Sequence, residues 1–203
     1  MELIRGIHNI RARHHGCVLT IGNFDGVHRG HQALLEQLKR EGQRLGLPVM
    51  VMIFEPQPLE LFAADKAPAR LTRLRDKAKY LAQAGVDYLL CVKFDPRFAA
   101  NTAQAFVAQL LVEKLGVKFL TVGDDFRFGA GRQGDFQLLQ QAGAEFGFDV
   151  ISTDSFVMAA CESAAPRFVR HCMMMIWCWP KRYWVTRTVF RAEWFTVMNW
   201  GGR

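Results

Sequence analysis

Five short apolar runs, residues 17–21, 49–54, 88–94, 119–122 and 149–152, recur along the chain, with a segment of helical spacing between each run and the next. This alternation limits the fold more than any other feature. Runs so short and so continuously apolar read as strands buried on both faces, and strands separated by helices pair in parallel. Ala33, Leu34, Leu38 and Leu45 repeat at helical spacing up to Gly46. Thr72 stands where a cap is needed for a helix to about residue 84, and Gly85 follows as its stop. Residues 103–115, stopped by Gly116, and residues 135–146 complete the set. The expected architecture is α/β: a doubly wound, Rossmann-like, five-stranded parallel sheet that holds ligands at the carboxyl ends of its strands.

Between the first strand and its helix lies Gly22-Asn23-Phe24-Asp25-Gly26-Val27-His28-Arg29-Gly30-His31. A glycine-rich strand-to-helix turn lets backbone N–H groups and the positive end of a helix face a phosphate. Two imidazoles at that point add groups that can donate to charge building up on a phosphoryl group. The spacing matches neither a P-loop nor a Gly-x-Gly-x-x-Gly fingerprint. His28 and His31 are three residues apart, which also suits zinc, but no third or fourth ligand of suitable spacing follows, so no metal site is expected.

His-x-Gly-His behind a strand resembles the nucleotidyltransferase superfamily. The ten residues together most resemble the N-terminal FMN adenylyltransferase module of bacterial bifunctional riboflavin kinase/FAD synthetases. The resemblance implies transfer of AMP from ATP to FMN, giving FAD and pyrophosphate, with Mg2+ accompanying ATP. It implies His28 and His31 as catalytic donors, and Gly22, Asn23, Phe24, Asp25, Gly26 and Gly30 around ATP. Two further strand ends match the same family: Phe54-Glu55-Pro56-Gln57-Pro58, and Gly123 to Arg132 with its Asp-Asp-Phe-Arg-Phe-Gly core. They imply Phe54, Pro56, Asp125, Phe126, Arg127, Phe128 and Gly129 on the flavin side. A flavin needs flat apolar contact and its phosphate needs cations, although phenylalanines at period two serve equally well as core. Gln57 stands where the family often has His. Arg70-Leu71-Thr72 also matches, and alone reads as a helix cap. Other readings are a nucleotidyltransferase with a different acceptor, or an inactive, merely flavin- or nucleotide-binding fragment.

After residue 156 the character changes. All five tryptophans, three of the five cysteines and Met173-Met174-Met175 lie there without any period. Residues 157–203 carry seven basic side chains against Glu162 and Glu193, so residues 1–156 keep only +2 of the net charge of +7. That near-neutral balance gives no basic face for nucleic acid. The family resemblance calls for Gly-Gly-Val-Arg-Ile-Ser-Ser-Thr at this point. Codons for Val157 to Pro166, read with one base restored, can spell Cys-Asp followed by that motif. The expected organisation is an adenylyltransferase domain over 1–156 and an out-of-frame tail over 157–203 without a defined fold, with no riboflavin kinase barrel. Cys17 and Cys91 read as small core residues, and no Cys-x-x-Cys pair occurs. With no apolar run long enough for a membrane span or signal peptide, a cytoplasmic protein acting on small molecules is expected.

Overall fold

The computed structural model describes residues 1–153, and the expected tail over 157–203 lies outside them. Six strands form one parallel sheet: β1 (Glu2–Arg5), β2 (Cys17–Ile21), β3 (Val49–Glu55), β4 (Tyr88–Lys93), β5 (Val117–Val122) and β6 (Asp149–Ser152), in the order β1-β4-β3-β2-β5-β6. The sheet is Rossmann-like as expected, with six strands in place of five. The additional strand, β1, pairs Leu3 with Leu89 at the sheet edge. Only Ile4 of its four residues is buried, so polar neighbours hide its apolar signal.

Successive side chains of a strand face opposite sides, and β3 shows it plainly. Met50 and Met52 join one core cluster while Val49, Val51 and Ile53 join the other. Helices α1 (Arg29–Leu45), α2 (Pro58–Phe62), α3 (Leu74–Gln83), α4 (Pro96–Ala99), α5 (Ala103–Ala105) and α6 (Phe136–Phe146) lie between the strands. α1 and α3 cover one face through Leu34, Leu35, Leu38 and Leu81. α6 covers the other face through Leu139 and Ala142, together with a π-helix, Phe106–Lys114, that continues α5 and buries Phe106, Val107, Leu110 and Leu111. Both faces of the sheet are therefore dry, which is what continuously apolar strands require.

The chain steps outward from β2 to β3 and β4, then returns to place β5 against the free side of β2. Such a reversal leaves a crevice at the carboxyl ends of the two strands on either side of it, and ligands of open α/β sheets bind there. Here those strands are β2 and β5.

Candidate functional site

α1 begins four residues earlier than helical periodicity suggests. His28 is its N-cap, and its Nδ1 accepts the backbone N–H of His31 at 3.4 Å. The His-x-Gly-His segment is thus the cap and first turn of a helix that starts at the crevice, with the positive helix end directed to the same place. The two imidazoles stack at 3.8 Å between centroids. Phe24 is buried, and its ring lies 4.8 Å from that of His31. Phe24, expected beside ATP, therefore supports His31 from below with its side chain.

Burial first, then the charges of His28 and Lys77, push the His31 imidazole down to about 3. At neutral pH it is an uncharged ring, and its buried Nδ1 has no hydrogen-bond partner. Phe24 and Val27 both hold positive φ, at 48° and 36°, as does Gly26 at 71°. Non-glycine residues adopt such angles only where their surroundings impose them.

The imposing groups come from far along the sequence. The Asp25 carboxylate accepts the N–H of Leu71 at 2.8 Å, the N–H of Thr72 at 2.9 Å and the Thr72 hydroxyl at 2.6 Å. Burial pulls the Asp25 carboxyl upward, but those three donors outweigh it and hold the group below its ordinary value. The Thr72 oxygen in turn accepts the N–H of Gly26 at 3.2 Å. Lys77, buried in α3, donates to the Asn23 carbonyl at 2.5 Å. Burial lowers its ammonium, a shift that Asp25 and Glu55 partly offset. Thr72 is therefore not a helix cap: α3 starts at Leu74, with Arg73 as its N-cap residue.

Leu71, Thr72 and Lys77, gathered around Asp25 and Asn23, form a support that sequence reasoning missed. Lys77 left a usable signal, because it falls between Leu74 and Leu81 at helical spacing, on the face that packs inward. Thr72 left none.

The flavin-side candidates are brought together in part. Phe54 lies 5.8 Å from Phe98, Phe98 lies 6.3 Å from Phe106, Phe106 lies 5.2 Å from Phe128, and Phe128 lies 5.6 Å from Phe126. Phe98 and Phe106 thus join Phe54 to the other two. Phe126 and Phe128 are buried core residues, whereas Phe54 is half-buried. Pro56 is half-buried in the exit loop of β3. Arg127 is exposed, and its Nη1 donates to the Phe126 carbonyl at 3.4 Å. Asp125 is partly buried in the turn that the Phe126 N–H closes onto the Gly123 carbonyl.

Gly129 has φ 76° and ψ 171°, and a Cβ there would stand 2.6 Å from the Ala103 nitrogen. Only glycine fits. A cavity of about 490 Å³ lies elsewhere, lined by His8, Arg11, His15, Glu113 and Lys114 among others, and none of the expected site residues borders it.

A doubly wound parallel sheet with a capped, histidine-bearing helix start at its switch point is a Rossmann-like α/β fold of the class that takes ligands in that crevice. The chain belongs to the FAD synthetase family, whose sequence profile matches residues 10–163. It is 72% identical over 157 residues to the bifunctional riboflavin kinase/FMN adenylyltransferase of Escherichia coli K12, covering 77% of this chain and 50% of that protein. The Haemophilus influenzae protein of the same description is 52% identical over 160 residues, covering 79% of this chain and 52% of its own. The chain spans about half the length of these relatives. Among solved structures, a crystal structure described as a macrolide-efflux protein from Streptococcus pneumoniae matches with a TM-score of 0.63 at 25% identity, covering 75% of this chain and 50% of that one.

Proposed function

We propose that residues 1–156 carry FMN adenylyltransferase activity. In this reading an oxygen of the FMN phosphate attacks the α-phosphorus of ATP in line. A new phosphoanhydride bond forms as the bond to pyrophosphate breaks. The observation that carries it is the stacked His28–His31 pair on the α1 N-terminus, at the crevice between β2 and β5. A neutral His31 keeps one ring N–H that can donate a hydrogen bond to a phosphate oxygen, and the helix N-terminus adds fixed positive potential. Stabilisation of this type contributes on the order of 10²- to 10³-fold per donor.

ATP brings Mg2+ in such chemistry. Among the described residues no three His, Cys, Asp or Glu side chains converge as a metal cage, so the ion would rest on the nucleotide's own phosphates. Glycines 22, 26 and 30 with Asn23 and Asp25 form the ATP side. Phe54 and Pro56, with Asp125 to Gly129, form the flavin side. Two features support a small-molecule enzyme of the cytoplasm: the near-neutral balance of residues 1–156, and the lack, among the described residues, of a helix long and apolar enough to cross a membrane.

We assign residues 157–203 to a reading frame displaced by one base, which removes the Ser-Ser-Thr part of the ATP site. Resequencing the locus decides this: a frame intact on both sides of the Phe156 codon refutes it. In a frame-restored protein, His28→Ala and His31→Ala should each lower FAD formation from ATP and FMN about 100-fold or more, with the circular dichroism spectrum retained. Near-normal turnover in either variant would sink the assignment.

A further inference from the structure

The chain between α2 and α3 makes an arrangement that the two substrate sides do not account for. Arg70 places Nη2 at 2.6 Å from Glu55 Oε1 and at 2.5 Å from Glu60 Oε2, and its Nε donates to Glu60 Oε1 at 2.5 Å. Glu60 Oε2 also accepts the N–H of Gln57 at 2.9 Å. Arg70 therefore fastens the exit loop of β3, from Glu55 through the start of α2. Two residues further on, Thr72 fastens the turn after β2 through Asp25 and Gly26.

One tripeptide thus holds two loops that arise from neighbouring strands and face different substrates. The Arg70 side chain is 34% exposed and Glu55 30%. The Arg70 fork grips both oxygens of Glu60 and one of Glu55, a fixed planar geometry that sets the placement of the loop.

We propose that Arg70 and Thr72 are positioning residues shared by the two substrate sides. Thr72 sets the nucleotide-side turn, Arg70 sets the flavin-side exit loop, and the backbone that joins them makes a disturbance of either loop reach the other. The inference rests on the assignment of residues 22–31 to ATP and of the exit loop to FMN. The energetic basis is geometric: in-line transfer between two bound substrates depends on their relative placement within a fraction of an ångström, and a shared strut fixes that placement better than two independent ones.

The test uses the full 203-residue chain and the variants Thr72→Val, Thr72→Ser and Arg70→Met. Amide exchange by mass spectrometry is followed over residues 22–31, 54–62 and 136–146. FMN binding is read from quenching of flavin fluorescence, and α,β-methylene ATP is titrated in parallel. Thr72→Val should speed exchange roughly tenfold in both 22–31 and 54–62 while leaving 136–146 unchanged. It should also weaken FMN, which it does not touch, by about fivefold, a coupling of ordinary size. Thr72→Ser, which keeps the hydroxyl, should restore both. Arg70→Met should weaken α,β-methylene ATP by a similar factor.

Changes confined to the loop next to each substitution overturn the inference. A uniform rise in exchange that includes 136–146 also overturns it, because that is loss of stability alone. If the unsubstituted chain fails to quench FMN, the functional reading fails, and the exchange pattern still decides the shared strut.

Discussion

The turn after β2 and the loop after β5 lie on the two sides of the same crevice, yet they are built by different means. The loop closes on itself. Phe128 and Gly134 exchange backbone hydrogen bonds at 3.0 and 2.9 Å and the Arg132 N–H closes onto the Gly129 carbonyl at 3.0 Å, while Gly129 and Ala130 also rest on the backbone of Asn101 to Ala103. The turn after β2 does not close on itself. Its unusual angles at Phe24, Gly26 and Val27 are maintained by Leu71, Thr72 and Lys77, whose sequence distances from their partners are 46 to 54 residues. A loop with mostly internal closure keeps its shape as long as its own glycines and the adjoining Asn101–Ala103 backbone remain. A turn held from outside keeps its shape only while the rest of the domain is folded, which ties the histidines to the integrity of α3.

The largest expected effect tests the self-contained side. Gly129→Ala forces a Cβ against backbone at an angle pair reserved for glycine, and should cost about 3 kcal/mol. Urea denaturation checks it, and a change below about 1 kcal/mol would show that the loop yields more easily than its packing suggests.

Thr72→Val, on the externally held side, should lower the local opening free energy of residues 22–31 by about 1–2 kcal/mol, read by amide exchange, since it removes one donor from a carboxylate that keeps two others. A cost equal to that of Gly129→Ala would erase the distinction between the two regions.

Acid loosens the same side without any substitution. His31 is held near 3, against an ordinary value of 6.5, so the unfolded chain binds the proton more readily than the folded one between those limits. The contribution of His31 to stability is complete above pH 6.5 and is lost progressively as pH falls toward 3. Exchange protection at residues 22–31 should fall before that at residues 126–134 as the pH is lowered from 7 to 4. His31→Phe should remove the difference.

The parts of the fold that sequence revealed are those governed by local pattern. The buried runs of β2 and β3 and the stop at Gly46 are set by neighbours within a few residues, and the structure places them where periodicity does. The start of α1 was hidden because Gly30 and His31 carry no apolar periodicity, so the pattern begins only at Ala33 although the cap is His28. Phe126 and Phe128 showed the correct alternation, but alternation does not say which side faces the core. Thr72 marks the limit most clearly. A threonine ahead of a helix is a sound candidate for a cap, and only the fold brings Asp25 near enough to claim its hydroxyl.

The strand order has a consequence for the making of the protein. Val18 of β2 pairs with Val49 on one side and with Phe119 on the other. At a synthesis rate of ~5–20 residues per second, the second partner leaves the ribosome roughly 4–14 s after the first. During that interval the nascent chain has β2, the histidine turn and α1, but the wall opposite them has not been made. The crevice is a late product of translation, and a pause or truncation before residue 122 would leave the histidine turn facing an unpaired edge of β2.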